Sequence, residues 1–499
     1  MQKAKKYVMA LDQGTTSSRC ILFDRSGKVC SVAQKEFAQY YPQPGWVEHN
    51  PMEIWSSQLS VAVEAMGQIG AEADDIAAIG ITNQRETTIC FSKKTGKPVY
   101  PAIVWQCRRT ADKIDALKKD GFDKVIRERT GLIPDAYFSA TKICWILEHV
   151  EGARQMAEDG ELLFGTVDTW LMWNLTKGQV FATDYTNASR TMLFDIHKRQ
   201  WDPEILDFIG ITPDRLPEVH PVGHVIGNLT SEAAKALGLS TNVQVFNGAH
   251  DQYCAALGSG AVHTGDMLLA TGTTWVVLGV TDRPMFTSSY IAPGIHPVKN
   301  RYGAMASLVS AGSALKWYRK IAGEDFATID DEAATRTRSA ADLLFYPYLC
   351  GAGFPHGKPE IRGSLMGLDL HHDKYDIARA LMEGVAFETA LTLEQFSAQG
   401  MGVHRLMMTG GASKSLLWSQ LVGYITGCEI YRMKEPDTGC VGAAMIAAVG
   451  CTAFANYEEA STSMVHAELL PLPDTDLPAF YKEKGARYRK HLEQAHTKL

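Results

Sequence analysis

The chain has 499 residues, 45% of them apolar and 21% charged, with a formal net charge of −7. That length exceeds what one hydrophobic core fills, so two large domains are expected. The negative balance offers no basic face to nucleic acid, and a small soluble molecule is the better-matched partner. Ten cysteines show no C-x-x-C spacing and sit mostly among apolar residues, the pattern of reduced core thiols and of a cytoplasmic protein. The apolar stretch Tyr7 to Leu11 is too short for a signal peptide. The small-residue run Val441 to Ala455, broken by Gly442, Gly450 and Thr452, is too short to span a membrane.

In chain order, the segment to about Phe37 reads as three strands with turns at Gly14 and at Asp24-Arg25-Ser26-Gly27. The first strand ends in Asp12, turns through Gln13-Gly14-Thr15-Thr16, and returns as Cys20 to Phe23. Backbone amides and hydroxyls at such a bend suit a polyphosphate, with Asp12 placed to hold Mg²⁺. A ligand-free hairpin has the same local signature. Met52 to Ile69 has helical apolar spacing, and Ile76 to Ile81 is a buried strand. Further strands are expected at Leu162 to Val167 and Val243 to Phe246, and the alternation argues for α/β layers. Leu268 to Leu278 then repeats apolar strand, Gly272-Thr273-Thr274, apolar strand, as expected of a doubled chain whose halves face one nucleotide. The division falls where Gly258, Gly260 and Gly265 cluster, giving domains 1–254 and 255–499. Helices are expected at Ser313 to Lys320, Lys374 to Gln399 and Ser415 to Ile425, a strand at Arg405 to Met408, and a surface helix from about Phe480.

No Walker-type loop is present, because Pro359 follows Lys358 where Ser or Thr should meet magnesium. Gly410-Gly411 between a strand and a helix lets backbone approach a nucleoside, and is equally ordinary turn chemistry. Asp251, at the end of a strand, is the candidate carboxylate to accept the proton of an attacking hydroxyl in phosphoryl transfer; an N-cap role or a His250-Asp251 metal site are the alternatives. Asn83-Gln84-Arg85-Glu86-Thr87 closes a buried strand with five polar residues. Arg85 and Glu86 offer a donor fork and an acceptor for a polyol, or else a solvated ion pair. Trp105 and Tyr137 could floor that pocket or belong to a core.

On the motifs Asp12 to Arg19, Pro44 to Pro51, Gly80 to Thr87, Val104 to Thr110, Tyr137 to His149, Gly165 to Trp170 and Asp184 to Thr191, the chain resembles the FGGY carbohydrate kinases. Its first half is most similar to the members that phosphorylate glycerol. The resemblance implies two actin-like, ribonuclease-H-like α/β domains closing on ATP, Mg²⁺ and a polyol. It implies Arg85, Glu86, Trp105, Tyr137, Asp251 and Gln252 as substrate contacts, Asp251 as the base, and Asp12 as the Mg²⁺ residue acting through water. Thr15, Thr16, Ser17, Arg19, Gly272, Thr273, Gly312, Gly411 and Ser415 would address the nucleotide. The activity implied is ATP-dependent phosphorylation of a terminal hydroxyl of glycerol, and dimers or tetramers would suit the family. The second half departs from the pattern. Thr274-Trp275-Val276 stands where the glycerol-specific members have Gly-Cys-Phe, Gly248-Ala249-His250 precedes the base, and Phe345 to Leu349 and Ser413 to Trp418 are more similar to the xylulose-specific members. The alternatives are therefore another polyol or ketopentose (erythritol, xylulose or ribulose type), or a non-catalytic, nucleotide-gated sugar sensor.

Overall fold

The computed structural model describes residues 5–285 and 291–497. Its first sheet contains β1 (Tyr7–Gln13), β2 (Ser17–Phe23), β3 (Val29–Glu36), β4 (Ile76–Asn83), β5 (Val225–Asn228) and β6 (Gln244–His250), in the order β3-β2-β1-β4-β6-β5. The second contains β7 (Met267–Thr271), β8 (Trp275–Thr281), β9 (Ala292–Ile295), β10 (Tyr302–Leu308), β11 (Arg405–Gly410), β12 (Glu429–Met433) and β13 (Ala467–Leu469), in the order β9-β10-β8-β7-β11-β12-β13. The two follow one plan. In each, a run of antiparallel strands, three in the first sheet (β3-β2-β1) and four in the second (β9-β10-β8-β7), is joined through its first strand to two parallel strands and closed by an antiparallel one. β1–β2 and β7–β8 are joined by matching turns, residues 14–16 and 272–274. This is the doubled, ribonuclease-H-like α/β arrangement that the sequence motifs imply.

The strands alternate between two cores, as their twofold side-chain period requires. Met9, Leu11, Cys20 and Leu22 enter a core of the first half, and Met267, Leu269, Trp275 and Val277 enter one of the second. The opposite faces of the same strands, with Ala10, Ile21, Leu268, Val276 and Leu278, meet in a third core shared by the two sheets. Strands buried on both faces read as continuous apolar runs, which is why β1 and β8 lack a polar stripe. Helix α1 (Pro51–Ile69) covers β2 and β3; Asn50 caps it by accepting from the Met52 N–H at 2.9 Å, and Gly70 ends it in the left-handed conformation.

Two helices run through the shared core. α2 (Asp251–Gly258) follows β6 directly, and α3 (Thr438–Gly450) crosses it while also packing on β1 and β4. A Cβ on Gly442 would lie 1.9 Å from the Cys254 carbonyl oxygen, so only glycine permits this crossing. Residues 254 and 255, where the sequence reading divides the chain, lie inside α2.

Two local expectations differ from the structure. The strand at Leu162 stops at Gly165, and Val167 opens a helix instead. The final helix α4 (Leu477–Thr497) is not confined to the surface: Tyr481, Lys484 and Tyr488 are buried. Lys484 donates to the Ala340 carbonyl at 2.6 Å and pairs with Glu383, which also accepts from Arg379 at 2.9 Å and from Tyr481 at 2.8 Å. The charges that suggested a solvated face are partly an internal network.

Candidate active site

Parallel β1, β4 and β6 end at one edge of the first sheet, and each delivers a polar residue there, as open α/β sheets do at their carboxyl ends. β1 brings Asp12, β4 runs into Arg85 and Glu86, and β6 runs into Asp251. Arg85 Nη1 donates to Asp251 Oδ1 at 2.7 Å, and its Nε lies 3.3 Å from Glu86 Oε1. Arg85 and Glu86 are therefore not a solvated pair. Glu86 is fully buried and also accepts from Arg190 Nε at 2.7 Å, a partner the sequence reading did not assign.

The backbone explains how neighbouring residues both reach the site. In a strand, Arg85 and Glu86 would point to opposite faces. Here Glu86 has φ +61° and sits in the middle of a three-residue turn closed by the Thr87 N–H on the Arg85 carbonyl at 2.8 Å. Turns of this hand are rare and strained, costing roughly 1–3 kcal/mol. The Glu86 carbonyl is held by Ser139 Oγ at 3.1 Å and Lys142 Nζ at 3.2 Å.

Asp251 is the first residue of α2, and its side chain is 36% exposed. The helix cap is the preceding His250, whose Nδ1 accepts from the Gln252 N–H at 3.2 Å. Asp251 Oδ1 accepts from the same amide at 2.8 Å. Burial works against the Asp251 anion, but the Arg85 guanidinium and the Gln252 amide override it and hold its carboxyl well below the usual range. Burial likewise keeps His250 neutral, down to about 4. Asp12 behaves oppositely: burial pushes it up to about 6, opposed by Arg19 and reinforced by Asp251.

Trp105 and Tyr137 stand beside this cluster, half-buried, with ring centroids 5.3 Å apart, and Trp105 Nε1 donates to Thr15 Oγ1 at 3.0 Å. Among the described residues, buried polar atoms without a hydrogen-bond partner gather here: Glu86 Oε2, Arg190 Nη1, His250 Nε2 and Gln252 Oε1. Each such atom costs about 1–3 kcal/mol when left unpaired. A ligand rich in hydroxyls would relieve donors and acceptors together.

The residues expected to face a nucleotide fall into three groups. On the first hairpin, Thr15 and Thr16 form the turn, Ser17 Oγ accepts from Gln34, and Arg19 forms an ion pair with Asp437 ahead of α3. On the second, Gly272 and Thr273 are exposed, and Gly312 touches them: a Cβ there would lie 2.1 Å from the Gly272 carbonyl oxygen. Gly411 donates to the Thr271 carbonyl at 2.9 Å, which ties its loop to the second hairpin. Ser415 differs, because its Oγ accepts from the Trp418 N–H at 2.8 Å as a helix cap and contacts Asp330. Asp369, His371 and His372 form a cluster with metal-ligand chemistry that includes none of the residues expected to meet polyol or nucleotide.

Doubled sheets with matched hairpins, and charged residues gathered at one sheet edge, define a duplicated two-domain α/β fold with a candidate site at the ends of its parallel strands. The chain belongs to the FGGY family of carbohydrate kinases, whose N-terminal domain matches residues 7–258 and whose C-terminal domain matches residues 267–451. It is 46% identical to a glycerol kinase of Lachnoclostridium phytofermentans over 91% of both chains. It is 41% identical to one of Clostridium botulinum over 99% of this chain and 98% of the other. Among solved structures, Plasmodium falciparum glycerol kinase with ADP superposes with a TM-score of 0.90 at 26% identity, covering 98% of each chain. The xylulose kinase of Lactobacillus acidophilus gives 0.89 at 24% identity over 98% of each, a likeness of fold alone. No helix among the described residues is long and apolar enough to cross a membrane.

Proposed function

We propose that this chain transfers the γ-phosphoryl group of ATP to a terminal hydroxyl of glycerol, yielding glycerol 3-phosphate and ADP. The observation that carries the reading is the buried Arg85–Glu86–Arg190 cluster beside Asp251, with Glu86 Oε2, Arg190 Nη1, His250 Nε2 and Gln252 Oε1 left without hydrogen-bond partners. Relatives named glycerol kinase over nine-tenths of the chain or more supply the substrate.

In this reading Arg85 and Glu86 bind adjacent hydroxyls, Trp105 and Tyr137 pack against the carbon chain, and Gln252 adds a polar contact. The attacking oxygen forms a bond to the γ-phosphorus as the bond to the β–γ bridging oxygen breaks, and the hydroxyl proton passes to Asp251. Asp251 is ionised throughout the physiological range because of Arg85, so it is always ready to accept. The low basicity is tolerable, since a loose phosphoryl transition state asks for positioning more than for a strong base.

Thr15, Thr16, Ser17 and Arg19 on one hairpin, and Gly272, Thr273, Gly312 and Gly411 on the other side, address the nucleotide. Ser415 acts through its helix cap. Mg²⁺ bound near Asp12 through water would neutralise phosphate charge; a hard carboxylate that burial has pushed up to about 6 is a group a cation would stabilise. The two halves, 1–254 and 255–499, act as the polyol-side and nucleotide-side lobes of a cytoplasmic homo-oligomer.

A coupled ADP assay with glycerol, erythritol, xylulose and ribulose tests the substrate. Glycerol should give the highest kcat/KM by at least tenfold, because a site built on hydrogen bonds penalises ligands that leave its groups unpaired. Turnover of a pentulose with none of glycerol would defeat the assignment. The specific reason to include longer substrates is Val276, a small buried side chain where the sequence pattern of glycerol-specific members has an aromatic.

A further inference from the structure

Lys142 lies in the helix Ser139–His149, outside the residues assigned above to glycerol or ATP, and its side chain is completely buried. Its Nζ donates to the Tyr137 carbonyl at 2.6 Å and to the Glu86 carbonyl at 3.2 Å. Among the described residues no carboxylate pairs with it. An ammonium buried against neutral carbonyls alone is an expensive choice for a core, where an apolar side chain of the same length would fill the space without desolvation. Burial indeed weakens its charged form, down to about 7, with Glu86 opposing the shift. The two carbonyls it holds belong to two residues whose side chains form the candidate polyol site.

We propose that Lys142 is a positioning residue for substrate binding: by tying the carbonyls of Glu86 and Tyr137 to one ammonium, it holds the strained turn at Glu86 and sets the spacing between the acidic group and the aromatic floor. The proposal rests on the polyol reading of this site. Glu86 reaches the pocket on the same side as Arg85 only while its φ stays positive, and its peptide carbonyl must then point inward to a donor. Lys142 and Ser139, one turn apart on the helix, donate to it from outside the turn, and Thr88 Oγ1 adds a longer, local contact at 3.3 Å. Without Lys142 the turn can relax toward ordinary extended backbone, which would swing Glu86 away from Arg85 and Arg190.

The test is Lys142→Met, which keeps an unbranched stem of similar size and removes the donor. KM for glycerol should rise tenfold or more, KM for ATP should stay within twofold, and kcat should fall by less than fivefold. A general loss of packing would instead lower kcat and affect both substrates. A folded variant whose glycerol KM stays within twofold overturns the proposal. Should Lys142→Met not fold, Ser139→Ala removes the neighbouring donor to the same carbonyl and should raise glycerol KM about threefold; an unchanged value counts equally against it. A crystal structure of either variant is a readout independent of turnover: Glu86 should leave positive φ, and an unmoved Glu86 and Tyr137 backbone refutes the idea. Failure of the polyol reading is separate, since it appears in the wild type as no turnover of glycerol, and the kinetic comparison then uses whichever polyol or ketose the wild type phosphorylates fastest.

Discussion

Asp251→Asn is the substitution from which most can be learned. Asparagine keeps an oxygen where Asp251 Oδ1 accepts from the Gln252 N–H at 2.8 Å, so the first turn of α2 should be retained. It loses the negative charge that Arg85 meets at 2.7 Å and the ability to take a proton from an attacking hydroxyl. Positioned acid–base groups contribute about 10²–10⁴-fold, so kcat should fall by that range, or about 3–5 kcal/mol of barrier. ATP binding should respond differently. Asp251 raises the pKa of Asp12, so removing its charge makes Asp12 easier to ionise, and the affinity for Mg²⁺ with a non-hydrolysable ATP analogue should hold or improve slightly. Steady-state coupled assays give kcat, and calorimetry gives analogue affinity. A kcat within tenfold of wild type would remove Asp251 from proton transfer; a large loss of analogue affinity would mean that it serves the nucleotide instead.

Further outcomes follow from other contacts. Gly312→Ala would put a methyl carbon 2.1 Å from the Gly272 carbonyl oxygen, so the second hairpin must move; KM for ATP should rise at least fivefold while KM for glycerol changes little, and equal changes in both would contradict the placement. Asp12, pushed up to about 6, should bind Mg²⁺·nucleotide progressively less well as pH falls through 6, and Asp12→Asn should abolish that dependence in a calorimetric pH series. Because its folded pKa lies above the ordinary 3.8, ligand-free folding takes up a proton between about pH 4 and 6, so this group favours the fold on the acid side of that window and the favour is lost as pH rises through 6. Lys484→Met should destabilise the second half by about 3 kcal/mol in urea unfolding, since it leaves Glu383 buried with one cation fewer; a loss under 1 kcal/mol would show that Arg379 suffices.

What was legible in the sequence was whatever repeats or lies close along the chain. Both three-residue turns, the continuous apolar strands and the polar stretch after β4 follow from local pattern, and they fix the doubled sheets and the position of Arg85, Glu86 and Asp251. Arg190 is separated from Glu86 by 104 residues, and nothing in its neighbourhood signals that it closes an ion pair with a buried glutamate. His250 was visible beside Asp251, but its capping of α2 depends on the bend between β6 and the helix. Lys142 is lost for a similar reason: a lysine on an amphipathic helix usually faces water, and only tertiary packing turns it toward two carbonyls. The charged final helix misled in the same way, since Lys484 finds its partners in distant segments.

The crossing of α2 and α3 has one more consequence. At Gly258 and Gly442 the two main chains touch without intervening side chains, and an added Cβ at Gly258 would stand 2.0 Å from the Thr438 carbonyl oxygen. Ordinary helix contacts contain rotamers that yield, like the play in a loose joint; at these two glycines there are none. A side chain added at either glycine must therefore part the two backbones, and Asp251 rides on one of the helices that would move.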